Sequence, residues 1–287
     1  MASSSTNRAD ALSAAVLWTI ALGIGAALAW VLLDVVRGAA GATSPWLTYL
    51  SSPPADQGAS GGIASVLVST LLLLALALAV ALPLGLGTAV LLTEAATARG
   101  DSSLVSVVRL AMHVLAGTPS IVFGLFGGVL FVEVLGLGYS LAAGGLTLGC
   151  MVLPIFVRAA ESSLRAVPVE WRAGAAALGL SRFACLRRVV LPAALPGIAA
   201  GLVLGIGRAL AETAALLFTA GAVLRMPSSI GDSGRSLSVH IYELSMFVPG
   251  GEAAAYRAAA VLVALLLALN LGAAAIVRIG QRHGAQG

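Results

Sequence analysis

Apolar and polar positions alternate along this chain on a coarse scale, in long apolar runs parted by short polar connections. The runs fall at about 12–36, 63–93, 104–134, 140–160, 192–220 and 256–279. Each reaches or exceeds the ~18–20 residues with which a helix crosses a hydrocarbon core. In lipid such a run must satisfy its own backbone, which a helix does internally. The pattern predicts an all-α integral membrane protein with six transmembrane helices. The expected organisation is an N-terminal segment at 1–11, a membrane domain at 12–280 and a tail at 281–287. The first run follows Arg8 and contains Ala27-Leu28-Ala29, which looks like a signal-peptide cleavage site. It continues through Leu33, beyond the ~7–15-residue core of such a peptide, and is expected to remain as the first span.

Six spans put both termini on one side, and the arginines indicate which. The N-terminus, 94–109, 158–188 and the tail hold Arg8, Arg99, Arg109, Arg158, Arg165, Arg172, Arg182, Arg187, Arg188, Arg278 and Arg282. The opposite connections hold Arg37, Arg225, Arg235 and Arg257. Eleven against four is a positive-inside asymmetry, so both termini are expected in the cytoplasm. The connections 37–62 and 221–255, rich in Pro, Gly and Ser, read as irregular external loops.

Composition narrows the chemistry. Charged residues make up 10% of the chain and mean hydropathy is +1.02, against roughly 25% charge in soluble domains. Lipid is the expected solvent. All 16 basic residues are Arg, so the chain cannot supply the Lys of a nucleotide-binding P-loop or of Schiff-base chemistry. Cys150 and Cys185 have no CxxC partner, and His113, His240 and His283 are far apart in sequence. No catalytic residue, metal site or cofactor is implied. The pI of 9.7 does not point to nucleic acid, because the arginines follow membrane orientation rather than one polybasic run.

The connection 167–190 carries the strongest local signal. Pro168 suits a first helical position and Gly179 the residue just past a helix end, with an Ala-rich stretch between them. Phe183, Leu186 and Val190 then recur at helical spacing among Arg182, Arg187 and Arg188, and Pro192 marks entry into the next span. Two short amphipathic helices at a membrane surface suit a docking surface for a soluble partner; an interfacial linker without that role fits the same composition.

This stretch resembles the cytoplasmic loop of bacterial ABC importer permeases, of form E-A-A-x3-G-x9-I-x-L-P. Ala175, Gly179, Val189, Leu191 and Pro192 fall at its intervals, while Ala173 and Gly174 depart from its first two positions. Further stretches are similar to the A-type permeases of phosphate importers. They are Gly61-Gly62-Ile63, 116–126, 153–161, 207–221, 240–244 and Asn270-Leu271, in order along the chain, with Ala215 where that family has Pro. The resemblance implies a type I importer permease whose loop 167–190 is a coupling helix docking an ATP-binding subunit. Glu170, Arg172, Ala175, Gly179 and Arg182 are the docking candidates. It further implies a heterodimer with a C-type permease, two ATP-binding subunits and an external phosphate-binding protein. ATP hydrolysis would lie with the partner.

Arg208 and Glu212 lie near the middle of the fifth run, where an ionised group costs at least ~2.5–3.5 kcal/mol. Their i, i+4 spacing allows a structural salt bridge. In the other reading Arg208 faces the passage, its planar fork suited to phosphate oxygens, and Glu212 holds it in place. Thr118 and Ser120 flank Pro119 in the third run. They line the passage if the helix breaks there, or bond to the preceding turn if it only kinks. Arg158 and Glu161 are expected to form an interfacial anchor, and Glu94 and Glu133 carry no role. The rivals are a permease for sulfate or molybdate, an ion-coupled secondary transporter, and a membrane enzyme, for which no His, Asp or Cys cluster is present at a membrane face.

Overall fold

The computed structural model describes residues 3–41, 45–95 and 103–284. Arg99 and residues 285–287 of the tail lie outside them. In chain order the helices are α1 (Ser3–Ala40), α2 (Trp46–Ser51), α3 (Ala64–Val90), α4 (Ser103–Gly117), α5 (Ser120–Gly127) and α6 (Leu141–Arg165). There follow α7 (Val169–Ala177), α8 (Arg182–Cys185), α9 (Leu191–Leu210), α10 (Ala214–Leu217), α11 (Leu237–Met246) and α12 (Glu252–Gly284). One two-stranded hairpin, β1 (Pro54–Ala55) with β2 (Ser60–Gly61), sits between α2 and α3.

Among the described residues five helical stretches are long and apolar enough to cross a membrane: Ser13–Ala40, Ala64–Glu94, Leu141–Arg165, Arg182–Leu210 and Glu252–Gly272. A sixth crossing is a bent pair, Ser103–Gly117 with Ser120–Val134, meeting at 107°. The expected third span therefore exists as two segments. Pro119 has no N–H for the helical ladder and holds its own ψ at 145°, outside the helical region, so α5 starts in a new direction.

At the centre α6 packs between α3 and α9. Small residues allow the approach: a Cβ on Gly149 would stand 3.2 Å from the Ala77 carbonyl oxygen, and one on Gly201 would run into the Ala159 methyl. Leu73, Ala77, Leu148, Val152, Phe156 and Ile198 fill the space between these helices. By contrast α1 from Ser13 onward carries most of its apolar side chains outward, and it meets α12 near its end, where Ala39 is buried. There Gly38 lies beneath the Tyr256 ring, and the Tyr256 hydroxyl donates to Asp34 Oδ2 at 2.9 Å.

Two expected boundaries move. The fifth span does not run as one helix to 220. Its helix begins at Arg182, ten residues before the expected start at 192, passes through a π-turn at Leu186–Val190 and ends at Leu210. The two expected irregular loops are also ordered into one cap. Pro45 and Ser236 precede α2 and α11 as caps, so the turn-forming residues mark joints between short elements. Ser65 Oγ donates to the Leu224 carbonyl, and Arg257 stacks 4.0 Å from the Tyr49 ring centroid and 5.2 Å from that of Trp46. Cation–aromatic stacking thus ties α2 to the start of α12.

Candidate functional site

The end of α9 carries the first candidate pair. Arg208 is in its last turn and Glu212 lies just beyond the helix, rather than both lying at mid-helix as the apolar run suggested. A guanidinium at a helix C-terminus complements the unpaired carbonyls there. Arg208 Nη2 stands 3.2 Å from Glu212 Oε2, with the Arg208 side chain 43% exposed and that of Glu212 3%. The other carboxylate oxygen, Oε1, accepts the Ala215 N–H at 3.2 Å and so caps the first turn of α10. Nη2 also lies 3.9 Å from Met151 Sδ on α6. The buried carboxylate is thereby held by a charge and an amide, while the Arg208 side chain stays part-exposed.

Glu212 is fixed through its backbone as well. Its carbonyl accepts Ser238 Oγ at 2.5 Å, and Ser238 Oγ lies 3.0 Å from Ser236 Oγ, which caps Val239 N–H. One residue earlier, Leu237 N–H donates to Thr70 Oγ1 of α3 at 2.9 Å. These groups are buried, so the network joins α3, α11 and the Arg208–Glu212 pair without solvent. Sequence reasoning missed Ser238 and Thr70. Ser236 before an apolar helix was a legible N-cap, but its neighbour's partner is 26 residues away.

Two residues beyond Ser238, His240 is fully buried with no hydrogen-bond partner at either ring nitrogen. Burial pushes its pKa down to about 4, and the Arg235 charge pushes in the same direction. Gly58, at φ +98°, lies flat against this ring where a Cβ would stand 2.5 Å from Cε1. The tip of the hairpin connection is thus seated on α11, and Asp56 and Gln57 beside it also hold positive φ.

At the break between α4 and α5, Thr118 Oγ1 donates to the Val114 carbonyl at 2.9 Å, and Ser120 opens α5. Thr118 lines a cavity of about 380 Å³ with Leu115, Val122, Phe123, Phe126, Cys150 and Leu153. The helix breaks, as one sequence reading had it, and the Thr118 hydroxyl bonds to the preceding turn, as the other had it. One turn on, Gly124 packs on α10, where an added Cβ would lie 2.8 Å from Ala215 Cα. The helix that Ser120 opens therefore packs on α10, whose first turn Glu212 caps.

On the opposite end of the bundle, Pro168 caps α7 rather than entering it. Gly179 closes the helix in the left-handed region at φ +74°, with Leu180 N–H to the Ala175 carbonyl at 3.0 Å. Ala175 is buried, whereas Glu170, Arg182, Trp171, Leu178 and Phe183 are exposed. Among the docking candidates Arg172, like Ala175, turns inward. Its Nη1 meets Glu94 Oε1 at 2.5 Å and its Nη2 donates to the Leu164 carbonyl at 3.1 Å. Glu94, given no role from sequence, is its partner 78 residues away, a distance at which no local pattern signals pairing. Glu161 likewise pairs with Arg165 at 2.7 Å and Arg109 at 3.6 Å rather than with Arg158, because Arg165 sits one full turn away on the same face.

Known proteins agree with this architecture. The family described as binding-protein-dependent transport system inner membrane component matches residues 81–282. The chain is 32% identical over 254 residues to the probable ABC transporter permease protein YqgI of Bacillus subtilis (strain 168), covering 83% of this chain and 84% of that one. It is 36% identical over 260 residues to the phosphate transport system permease protein PstA 1 of Mycobacterium tuberculosis (strain CDC 1551 / Oshkosh), covering 89% and 84%. A chain from inward-facing MetNI methionine ABC transporter superposes with a TM-score of 0.59 at 19% identity, covering 75% of this chain and 96% of that one, a likeness of fold. A multi-pass helical bundle, the family match across most of its length and these relatives together place the chain in the family of binding-protein-dependent transport system inner membrane components, as an ABC transporter permease.

Proposed function

We propose that this permease carries inorganic phosphate inward and forms half of the translocation passage, with Arg208 on that passage. The observation that carries the reading is the Arg208–Glu212 arrangement, a part-exposed guanidinium fixed by a buried carboxylate in an otherwise apolar bundle. Phosphate near neutral pH carries between one and two negative charges, and a low-dielectric route needs a compensating cation. The name of the relative in Mycobacterium tuberculosis, a phosphate transport system permease protein, favours phosphate over sulfate or molybdate. Thr118 and Ser120 belong to the same passage through the contact of α5 with α10.

The remaining assignments follow the sequence. The positive-inside asymmetry puts both termini, with segments 1–11 and 281–287, in the cytoplasm, together with the coupling loop 167–190 of the 12–280 domain. The exposed face of α7 and α8, bearing Glu170, Trp171, Gly179, Arg182 and Phe183, would receive an ATP-binding subunit, one of two in the assembly. A C-type permease would complete the passage, and an external phosphate-binding protein would deliver the ion. Hydrolysis of ATP falls to the partner, since a chain without Lys has no P-loop.

The test is uptake of labelled phosphate at low micromolar concentration by cells with and without this gene, lacking any second phosphate system. Sulfate, molybdate and arsenate are added in parallel. Loss of uptake in the deletion, with competition by arsenate alone, supports the cargo. Unchanged phosphate uptake with lost sulfate or molybdate uptake transfers the assignment to that oxyanion.

A further inference from the structure

We infer that Arg172 and Glu94 form the joint through which the loop 167–190 moves the bundle, so that Arg172 is a positioning residue for energy coupling rather than a contact to the partner. The inference rests on the reading that this loop receives an ATP-binding subunit. A motion imposed on α7 reaches the spans only through whatever fastens α7 to them. Its inward face offers one buried apolar side chain, the methyl of Ala175. Dispersion and burial at one methyl give little grip and no direction. Arg172 supplies both.

The two ends of its fork hold two different helices. Nη1 reaches Glu94 in the π-turn Leu91–Ala95 that ends α3, and Nη2 reaches the Leu164 carbonyl in the last turn of α6. That carbonyl belongs to the last turn, where α6 has no further intrahelical donors, so the guanidinium also closes a helix end. Both side chains are mostly shielded, at 20% and 30% exposure, so the pair is screened less than a surface bridge. Glu94 itself stands on a rigid base. Leu92, two residues before it, is buried with Val105 of α4 and Val157 of α6. The Glu161 pair with Arg109 joins α4 to α6 in the same region of the bundle, and Arg165 holds the same carboxylate from one turn along α6. One arginine on α7 thus grips a junction where three spans are already fastened together.

The experiment uses the assembled importer in proteoliposomes, reading ATP hydrolysis and phosphate uptake together. Arg172→Ala and Glu94→Gln should each lower phosphate moved per ATP by about five-fold while hydrolysis stays within about two-fold of wild type. The exchange Arg172→Glu with Glu94→Arg should recover much of the loss. Wild-type stoichiometry in both single variants would overturn the inference. Hydrolysis falling in step with uptake in Arg172→Ala alone would do the same, by making Arg172 a contact to the ATP-binding subunit. A second readout does not depend on the cargo. Spin labels at Ala177 and Ser162, with Cys150 and Cys185 replaced by Ser, report whether α7 and α6 move as one body during the ATP cycle. The wild type should keep one narrow distance and Arg172→Ala should broaden it. An unchanged distribution sinks the joint even if the importer proves to carry another ion, whereas absent phosphate uptake by the wild type counts against the cargo alone.

Discussion

On the proposed reading Arg208 and Glu212 serve stability and transport at once, and the two contributions separate by mutation. Removing one partner of a buried pair leaves an uncompensated charge, which costs about 3–5 kcal/mol, while removing both charges is often nearly neutral. The exposure of Arg208 lowers that figure here, since its side chain is 43% exposed. Arg208→Ala should therefore abolish uptake and also lower thermal stability, because Glu212 stays buried. Adding Glu212→Gln should return most of the stability, as Gln keeps an oxygen for the Ala215 N–H. Uptake should not return. Melting curves of the two variants beside their phosphate uptake check this, and recovery of transport in the double variant would reduce the pair to a structural bridge. Arg208→Lys keeps the charge without the planar fork and should retain at most about a tenth of wild-type uptake.

Helix ends set the geometry of the site, and they show where sequence reading stopped. The long apolar runs, Gly179 as a helix terminator and the break at Pro119 were legible, because each rests on a local rule. The end of α9 was not. Residues 211–220 are as apolar as those before them, and the helix stops because Glu212 turns to cap α10 while Ser238 takes its carbonyl. The second bond depends on a segment, 221–255, that looked like loop. Ser238→Ala should accordingly raise the KM for phosphate several-fold with little change in membrane content, and Ser238→Thr should restore it, as measured by uptake in whole cells. The cap above this helix carries a pH dependence of its own. His240 has a native pKa of about 4 against an ordinary value of 6.5, so the unfolded chain binds more protons between them. Stability should be unaffected above about 6.5 and fall as pH descends toward about 4, by up to about 3 kcal/mol from this group. The difference between wild type and His240→Gln in melting temperature across that range isolates it, since Gln does not titrate. Equal slopes would mean that the ring gains water in the native state.

Over the whole molecule the two ends of the bundle are built differently, which makes orientation measurable. The end bearing α7 is fastened by ion pairs and holds the excess of arginines, whereas the cap end is fastened by buried hydroxyls, a seated hairpin and aromatic stacking. Arginine on short connections resists translocation, so the α7 end should be cytoplasmic. Single cysteines at Ala177 on α7 and at Ser229 in the cap, both exposed, distinguish the two arrangements once Cys150 and Cys185 are replaced by Ser. A membrane-impermeant thiol reagent applied to intact spheroplasts should modify position 229 and spare 177, and inverted vesicles should show the reverse. The label at position 177, compared with the N-terminus, also tests whether the bent pair α4–α5 is one crossing. If Ser103–Gly117 and Ser120–Val134 traverse the membrane together, six crossings put residues 177 and 229 on opposite sides with both termini beside 177. If the pair instead enters and leaves on one side, five crossings remain and the termini must face opposite compartments. A tag ahead of Met1, scored for protease access beside position 177, decides between them, because the bent pair lies between the two, and protection of both in spheroplasts is the outcome that a six-span importer requires.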